Sequence, residues 1–252
     1  MNPQQRQESI IELVRRQGYA SIEQLTEHFA VTPQTIRRDL NRLSGEGQIR
    51  RVHGGAGLES STVNTAYAMR KTLNLEAKQR IAADLARHIP DHASLFINIG
   101  TSNEVVAEAL LDHHGLEVIT NNLNVAAILQ RKDDFNVIIA GGQVRPRDGG
   151  IIGEAAIDFI NQFKVDFGII GISGIDEDGS LLEFDYQEVR VAQAIIQNSR
   201  QIFLAADHSK FQRNPVVRQG NLAQLDALFT DRQPSERILQ ILRDHDVDLH
   251  IS

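Results

Sequence analysis

The 252-residue chain contains no cysteine, so it forms no disulfide and holds no cysteine-ligated zinc or iron–sulfur centre. It also lacks a long uncharged apolar run, although hydrophobic residues make up 41% of the sequence, and this excludes a membrane-spanning helix. The stretch from Met1 to Arg6 is polar and offers no apolar core of a secretory signal, which predicts a cytoplasmic protein.

The chain has no excess of basic residues either, because its formal net charge is −7 at pH 7. Residues 1–57 nevertheless carry eight arginines against six acidic residues, a net charge of +2, so the remainder carries −9. This asymmetry predicts a small head that faces DNA and a larger body that repels it. Since a charge of +2 attracts DNA only weakly, we expect several heads to act together in a homo-oligomer, a dimer or tetramer.

The segment from Thr32 to Leu43 predicts a short helix with two unlike faces. Thr32 offers a hydroxyl that caps the helix start, and Pro33 takes the first helical position, where its missing N–H costs nothing. Counting 100° per residue places Ile36, Leu40 and Leu43 on one apolar stripe. The opposite face and its flanks are polar: Gln34, Thr35, Arg37, Arg38, Asn41 and Arg42. These side chains are of the types that read base edges and hold phosphates.

A second predicted helix comes shortly before this one. Ser21 and Gln24 stand at the spacing of a capping box, and the helix that they start reaches Phe29. Two helices this close, the second polar on its outer face, are typical of a helix-turn-helix. Residues 48–52 then predict a strand that turns through glycines and returns, as a wing does, and its Arg50 and Arg51 can reach the DNA backbone.

The stretch from Thr32 to Leu40, followed by Arg51 and by His53 to Ala56, resembles the winged helix-turn-helix of the DeoR family of bacterial repressors. The resemblance implies a repressor that binds operator DNA, and it adds Thr32 and His53 to the candidate DNA-binding residues. It implies operator contacts for four side chains in particular: Gln34, Thr35, Arg37 and Arg38.

Beyond the head the pattern predicts a linker at residues 58–74, which is polar and without period, and a body at residues 75–252. In the body, short apolar runs alternate with helical segments. This alternation predicts a doubly wound, largely parallel α/β sheet with helices on both faces. We expect strands at 95–99, 117–120, 136–140, 166–172, 201–206, 226–230 and 248–251. We expect helices between them at 104–113, 124–131, 153–163, 186–198 and 235–244.

The predicted strands end in small or polar residues, and sheets of this kind bind ligands beyond the carboxyl ends of their strands. A helix opens at Thr101, where free N–H groups and hydroxyls suit a phosphate. Lys210 adds a cation, while the carboxylates of Asp176 and Asp207 suit the hydroxyls of a polyol. The candidate effector-binding residues are Gly100, Thr101, Ser102, Asn121, Asn122, Gly141, Gly142, Asp176, Asp207 and Lys210. Together they predict a pocket for a small phosphorylated polyol.

Four stretches of the body, at 147–154, 171–176, 180–186 and 207–211, narrow the resemblance to DeoR-family members that control glycerol and glycerol 3-phosphate catabolic genes. The resemblance implies a sensor domain similar to the folds of ribose-5-phosphate isomerase and glucosamine-6-phosphate deaminase. It also implies glycerol 3-phosphate as the effector that releases the operator. Ser102 stands where that pattern has threonine, and it keeps the hydroxyl.

Two other functions stay open. The first is a repressor of the same family that responds to another sugar phosphate. The second is an active phosphosugar isomerase or deaminase with a DNA-binding head, for which Asp176, Asp178 and Glu183 are candidate acids. No paired acid and base accompanies them, so we expect no enzyme and no cofactor. The residues 113–114 and 176–179 lack metal-site spacing, so no metal is expected.

Overall fold

A computed structural model of the protein describes residues 2–17, 19–52, 54–57 and 64–252. The chain divides into two compact units, Met1–Arg70 and Lys71–Ser252. Across these described ranges, every helix is too short or too polar to cross a lipid bilayer.

The first unit combines three helices with a small antiparallel sheet. Its elements are α1 (Pro3–Gln17), β1 (Tyr19–Ser21), α2 (Ile22–Phe29), α3 (Pro33–Gly45), β2 (Arg50–Val52) and β3 (Gly55–Gly57). The sheet has the order β1-β3-β2, and β2 and β3 form an antiparallel hairpin. The helix-turn-helix and the wing predicted from the sequence are therefore confirmed.

The apolar stripe of α3 holds this unit together. Ile36 and Leu40 are fully buried and Leu43 is 2% exposed, and they pack in one cluster with Ile10 and Val14 of α1. Burying an aliphatic side chain of this size contributes about 1.5–3 kcal/mol. The opposite face of α3 is thereby fixed toward solvent.

Both helices of the motif start with the predicted caps. The Ser21 hydroxyl accepts the Gln24 N–H at 3.1 Å, and the Gln24 side chain accepts the Ser21 N–H at 3.2 Å. The Thr32 hydroxyl accepts the Thr35 N–H at 3.3 Å. Between the helices, Ala30 adopts a left-handed conformation with φ of 51°, which turns the chain within three residues.

The segment predicted as an aperiodic linker includes a short helix, α4 (Tyr67–Thr72), that the sequence pattern does not predict. None of its residues is buried, so it lacks the apolar stripe on which sequence-based prediction depends. The residues 58–63 of that segment lie outside the described part of the chain. The predicted domain boundaries stay a prediction.

The second unit is an α/β domain. Its helices are α5 (Leu75–Ala86), α6 (Thr101–Ala109), α7 (Leu123–Leu129), α8 (Glu154–Ile160), α9 (Tyr186–Gln197) and α10 (Glu236–Asp244). Its strands are β4 (Ser94–Ile97), β5 (Glu117–Thr120), β6 (Asn136–Ile139), β7 (Gln143–Val144), β8 (Ile151–Ile152), β9 (Val165–Ile170), β10 (Gly174–Ile175), β11 (Ser180–Glu183), β12 (Ser199–Ala205), β13 (Val217–Asn221), β14 (Ala227–Thr230) and β15 (Asp248–Ile251).

Seven strands form one sheet in the order β15-β14-β12-β9-β4-β5-β6, and every neighbouring pair in it is parallel. Alternate residues of β4 face opposite sides: Phe96 joins the cluster under α8 to α10, whereas Leu95 and Ile97 join the cluster under α5 to α7. The predicted doubly wound sheet with helices on both faces is confirmed.

The domain also contains two small antiparallel additions that the sequence pattern does not predict. One is the pair β7 and β8, and the other is the sheet β10-β11-β13. Strands of two to five residues are too short to show a period, which explains why they escape detection. They lie between strands of the main sheet in sequence, and two candidate effector residues adjoin them, Gly142 before β7 and Asp176 after β10.

Candidate functional site

The polar face of α3 is a surface of exposed amides and guanidinium groups. Gln34, Arg37, Arg38 and Asn41 are all exposed, and the helix turns them away from the buried stripe. Within the described ranges, neither Arg37 nor Arg38 forms an ion pair with a carboxylate, so both are available to a polyanion. Side chains of this kind contact guanine, adenine and phosphate oxygens.

The remaining candidates on this helix have partners of their own. The hydroxyls of Thr32 and Thr35 lie 3.0 Å apart at the helix start, where they serve the cap. Arg42 donates from Nε to Glu46 at 3.0 Å, in an exposed pair one helical turn apart. Of the six polar residues of α3, Thr35 and Arg42 therefore also support the helix. The other four project into solvent.

The two arginines of the wing both lie on β2. Arg50 and Arg51 are both half-buried, and Nη1 of Arg51 is enclosed without a hydrogen-bond partner in the described residues. Burial raises the pKa of the Tyr19 phenol, as does Glu23, while nearby Arg51 acts in the opposite direction. Arg51 thus lies beside Tyr19 at the base of the wing. His53 lies outside the described residues.

One side chain of α3 has a structural role that we did not predict. Asp39 is 4% exposed and accepts hydrogen bonds from Nε of Arg6 at 2.6 Å and from Nε2 of Gln7 at 2.9 Å. The same 100° count that found the apolar stripe places Asp39 60° from Ile36, on the inner side. The inward position of Asp39 could therefore have been predicted from the sequence. Its bonds to Arg6 and Gln7 connect α1 to α3.

In the second unit, the parallel topology brings the predicted strand ends to one edge of the sheet. The ends of β12, β9, β4, β5 and β6 are consecutive neighbours in the strand order. The carboxyl ends of parallel strands meet on one side, so the loops that carry residues 100–102, 121–122, 141–142, 173–176 and 207–210 all leave the sheet there.

A buried cation that was not predicted from the sequence also lies at this edge: Lys78 on α5. It is 3% exposed, and its Nζ donates to the hydroxyl of Thr101 at 3.1 Å. Lys78 precedes Ile81 by three residues and so lies on the same inward face of the helix. This spacing could have predicted its burial from the sequence. A buried ammonium group therefore lies at the start of α6, where Gly100 adopts a φ of 136°.

Asp207 lies close to the same lysine. Its Oδ1 accepts from Asn74 at 2.8 Å and from the Ser209 hydroxyl at 2.6 Å, and the residue is 1% exposed. Burial alone raises the pKa of Asp207, but Lys210, the Ser209 hydrogen bond and Lys78 outweigh it and hold that pKa below its usual value. Asp207 is thus a buried anion between two lysines.

Three buried asparagines each have one amide atom in a hydrogen bond, while the other amide atom has no partner in the part of the chain that the structure describes. Nδ2 of Asn121 donates to the Ile151 carbonyl at 3.1 Å, and Oδ1 of Asn122 accepts the N–H of Asn124 at 3.0 Å. Asn103 donates to two carbonyls at the end of β4. Among the described residues, Oδ1 of Asn121, Nδ2 of Asn122 and Oδ1 of Asn103 have no hydrogen-bond partner. Such atoms can receive the polar groups of a ligand.

Within the ranges that the structure describes, four other predicted effector residues form no hydrogen bond with Lys78, Asp207 or the three asparagines: Ser102, Gly141, Gly142 and Asp176. Ser102 is half-buried and Gly141 is exposed. A Cβ at Gly142 would lie 2.8 Å from the Ile152 carbonyl oxygen, so close packing of β7 on β8 requires glycine there. Asp176 is exposed in the turn of the β10–β11 hairpin, where it accepts the Glu177 N–H at 2.7 Å.

A cluster of charged groups joins the loop between β7 and β8 to the start of α9. Arg145 is 7% exposed and binds three carboxylates, with Nη2 to Asp148 at 2.7 Å and Nη1 to Glu188 at 2.6 Å and to Asp185 at 3.0 Å. Burial lowers the pKa of its guanidinium, but these carboxylates outweigh that effect and raise it. This ion cluster fixes the loop between β7 and β8, and sequence patterns gave no sign of it.

A winged helix-turn-helix in one unit and a parallel α/β domain in the other are the arrangement of a two-domain transcriptional regulator. Residues 6–62 match the DeoR-like helix-turn-helix domain, and residues 73–232 match the DeoR C terminal sensor domain. The chain belongs to the DeoR family of helix-turn-helix transcriptional repressors.

Individual relatives match over the whole length. The chain is 57% identical over 251 residues to the glycerol-3-phosphate regulon repressor of Escherichia coli (strain K12), which covers 100% of both proteins. It is 51% identical over 244 residues to the glycerol-3-phosphate regulon repressor of Haemophilus influenzae, with 97% and 95% covered. Among solved structures it is similar to ribose 5 phosphate isomerase A from Neisseria gonorrhoeae, at a TM-score of 0.40, 14% identity and coverages of 53% and 52%.

Proposed function

We propose that the protein represses glycerol and glycerol 3-phosphate catabolic genes in the cytoplasm, and that glycerol 3-phosphate releases it from operator DNA. The observation that carries the effector proposal is the buried contact between Lys78 and Thr101, which lies beside Asp207 and Lys210. The names of the two repressors that match the full chain support the choice of regulon.

The start of α6 suits the phosphate. The N–H groups of its first turn, the Thr101 hydroxyl and the ammonium of Lys78 converge there, and Lys210 supplies a second positive charge. A helix N-terminus and buried cations both favour a dianion. Asp207 keeps the two ammonium groups from repelling each other before the effector binds.

The neighbouring end of β5 suits the glycerol hydroxyls. Oδ1 of Asn121 can accept a hydrogen bond from a hydroxyl, and Nδ2 of Asn122 can donate one to its oxygen. A ligand that lacks these hydroxyls leaves both buried atoms unpaired, at a cost of about 1–3 kcal/mol for each. This arrangement favours a polyol phosphate over inorganic phosphate.

Release from DNA follows from differential binding. If glycerol 3-phosphate binds the DNA-free conformation more tightly, it draws the population away from the operator. A change from 1:99 to 99:1 requires about 5.5 kcal/mol of differential affinity. In a homo-oligomer, several effector sites together supply this differential affinity. Pairing of the heads also raises the affinity of the oligomer for DNA, although each head is weakly charged.

The experiment is operator release, measured by fluorescence anisotropy with labelled DNA from upstream of glycerol 3-phosphate catabolic genes. We expect release by glycerol 3-phosphate and none by glycerol or inorganic phosphate. Ribose 5-phosphate and glucosamine 6-phosphate complete the panel, since release by either would assign the family function to another sugar phosphate. Turnover of either compound would favour an isomerase or deaminase.

Arg38→Ala tests the DNA-reading face. We expect operator affinity to fall about 10–100-fold, because one arginine contact contributes about 1–3 kcal/mol. The affinity for glycerol 3-phosphate stays unchanged in calorimetric titration. Arg87→Ala, which removes an exposed arginine paired with Asp84 in the second unit, is the control. A parallel loss of both affinities in Arg38→Ala would count against a separate DNA-reading role.

Lys210→Ala tests the effector site. We expect this variant to hold the operator with normal affinity and to need at least about tenfold more glycerol 3-phosphate for release, since a charge-assisted contact contributes about 1.5–3 kcal/mol. Lys132→Ala, at a lysine paired with exposed Asp134, is the matched control. Normal release in Lys210→Ala would remove Lys210 from the site.

A further inference from the structure

A buried carboxyl group that the proposed function does not use lies beside the effector site. Glu183 ends β11 and is 4% exposed. Its Oε2 accepts the Phe184 N–H at 3.1 Å, and the hydroxyl of Ser173, which follows β9, also donates to it. Lys210 is near enough to attract its negative charge, and the same Lys210 acts on Asp207. Glu183 is therefore electrostatically connected to the proposed phosphate-binding lysine.

One anion and one cation act on the charge of Glu183. Glu188 on α9 repels its charge, and Glu188 is itself held by Arg145 from the loop between β7 and β8. Lys210 after β12 acts in the opposite sense. Burial, followed by Glu188, raises the pKa of Glu183 to about 7, so the group is divided between its two protonation states near neutrality.

An anion bound at Lys210 would change this balance. The bound phosphate neutralises the cation that stabilises ionised Glu183, and it adds negative charge close by. Both effects favour the neutral acid. The neutral acid also gains a hydrogen-bond donor, which the carboxylate lacks and which an oxygen atom of the effector can accept.

We propose that Glu183 belongs to the effector site and takes up a proton from solvent when the phosphorylated effector binds. The proton attaches to a carboxylate oxygen of Glu183, and no other bond is made or broken. The inference rests on the proposed effector site, and it adds a recognition residue and a link between effector binding and pH.

Proton uptake by Glu183 makes effector affinity depend on pH. Because the complex holds more protons than the free protein, effector affinity falls as pH rises. For a shift of one unit in the pKa of Glu183, affinity falls up to about tenfold from pH 6.5 to pH 9. Release of the operator then needs less effector in acidified cells than in alkaline ones.

The test is calorimetric titration of the full-length protein with glycerol 3-phosphate at pH 7.5, in buffers that differ in ionisation enthalpy. The dependence of the heat on the buffer gives the number of protons taken up. We expect the wild type to take up about half a proton per site more than Glu183→Gln, for a one-unit shift from a pKa near 7. Titration of the phosphate and of the lysines is common to both proteins and cancels in this difference.

Glu117→Gln provides the control, since Glu117 is an exposed residue at the other end of β5 and should leave proton uptake unchanged. Circular dichroism checks that each variant is folded. If Glu183→Gln does not fold, Glu188→Gln replaces it. Loss of the repelling Glu188 charge moves the pH of maximum uptake downward by about one unit.

The possible results separate the inference from the proposed function. Binding with equal proton uptake in wild type and Glu183→Gln, or an unshifted profile in Glu188→Gln, overturns the role of Glu183 and leaves the effector proposal intact. Absence of any binding heat overturns both. Uptake that disappears in Glu183→Gln and persists in Glu117→Gln supports the inference.

Discussion

The two units present their candidate residues in opposite ways. The DNA-reading residues come from one continuous segment and are exposed, with Arg37 and Arg38 projecting from a helix that is buried only on its other side. The candidate effector residues come from strand ends far apart in sequence, and two charges of the proposed site, Lys78 and Asp207, are almost completely buried. The candidate DNA-binding side chains are thus open to a large partner, whereas the main charges of the proposed effector site are enclosed within their own domain.

This difference has energetic consequences. Exposed cations act through a screened electrostatic attraction, so operator binding should weaken steeply with salt. Buried groups at the sheet edge must be matched almost atom by atom, because each unmatched one costs about 1–3 kcal/mol. In the proposed function, the head therefore provides affinity for a common polymer, and the sensor provides selectivity for one metabolite.

Asp39→Asn should give the largest effect on stability, because the head, although its DNA-binding candidates are exposed, contains a buried ion pair of Arg6 and Asp39. The substitution leaves Arg6 buried without its anion, so we expect α3 to lose about 3 kcal/mol of protection against opening. Hydrogen exchange of the α3 amides measures this loss, and the amides of β4 report on the sensor.

Glu46→Gln, at the C-cap of α3, is the matched control, because the pair between Glu46 and Arg42 is exposed and should contribute less than about 1 kcal/mol. Unchanged protection of α3 in Asp39→Asn would show that the Arg6 pair does not hold the recognition helix. An equal loss in β4 would show that the two units do not respond separately.

Lys78→Met should affect function almost as strongly, but in the other unit. Methionine keeps the apolar stem and removes the ammonium group from Thr101 and Asp207, so we expect effector affinity to fall about a hundredfold. Operator affinity should stay within about twofold of the wild type, because α3 is unchanged. Calorimetry with glycerol 3-phosphate and anisotropy with operator DNA measure the two quantities. Unaltered effector affinity would place the phosphate elsewhere.

Ala30→Gly should give the smallest effect, and in the opposite direction. Ala30 is exposed and left-handed, and glycine adopts this conformation without strain, so we expect the head to gain about 0.5–1 kcal/mol. Ala83→Gly, at an exposed position inside α5, should instead cost the sensor about 1 kcal/mol. Thermal unfolding measures the change in stability of both variants. A lower stability of Ala30→Gly would contradict the view that the turn at Ala30 is strained.

The comparison also explains what could be predicted from the sequence. The stripe of Ile36, Leu40 and Leu43 and the caps at Ser21 and Thr32 are short-range patterns, and the structure confirms each of them. The seven strands of the main sheet were predictable for the same reason, since each is an apolar run between polar ends.

The residues that escaped prediction are held by long-range contacts. Arg145 lies in the loop between β7 and β8 and meets Asp185 and Glu188 at the start of α9, about forty positions later in the chain, so no local pattern connects them. Lys78 and Asp39 are different, because helical spacing already placed both on inward faces. They were missed because a charged residue next to an apolar stripe is usually exposed. The individual effector contacts stay predictions.

The most direct test of the account is calorimetric titration of the wild-type protein with glycerol 3-phosphate, first alone and then saturated with operator DNA. Because coupling between two sites is reciprocal, an effector that weakens operator binding must bind more weakly when the operator is present. We predict saturable binding to the free protein and at least about tenfold weaker binding to the complex. Equal affinities in the two titrations, or no binding to the free protein, would contradict the central claim that the sensor edge controls the DNA-reading helix.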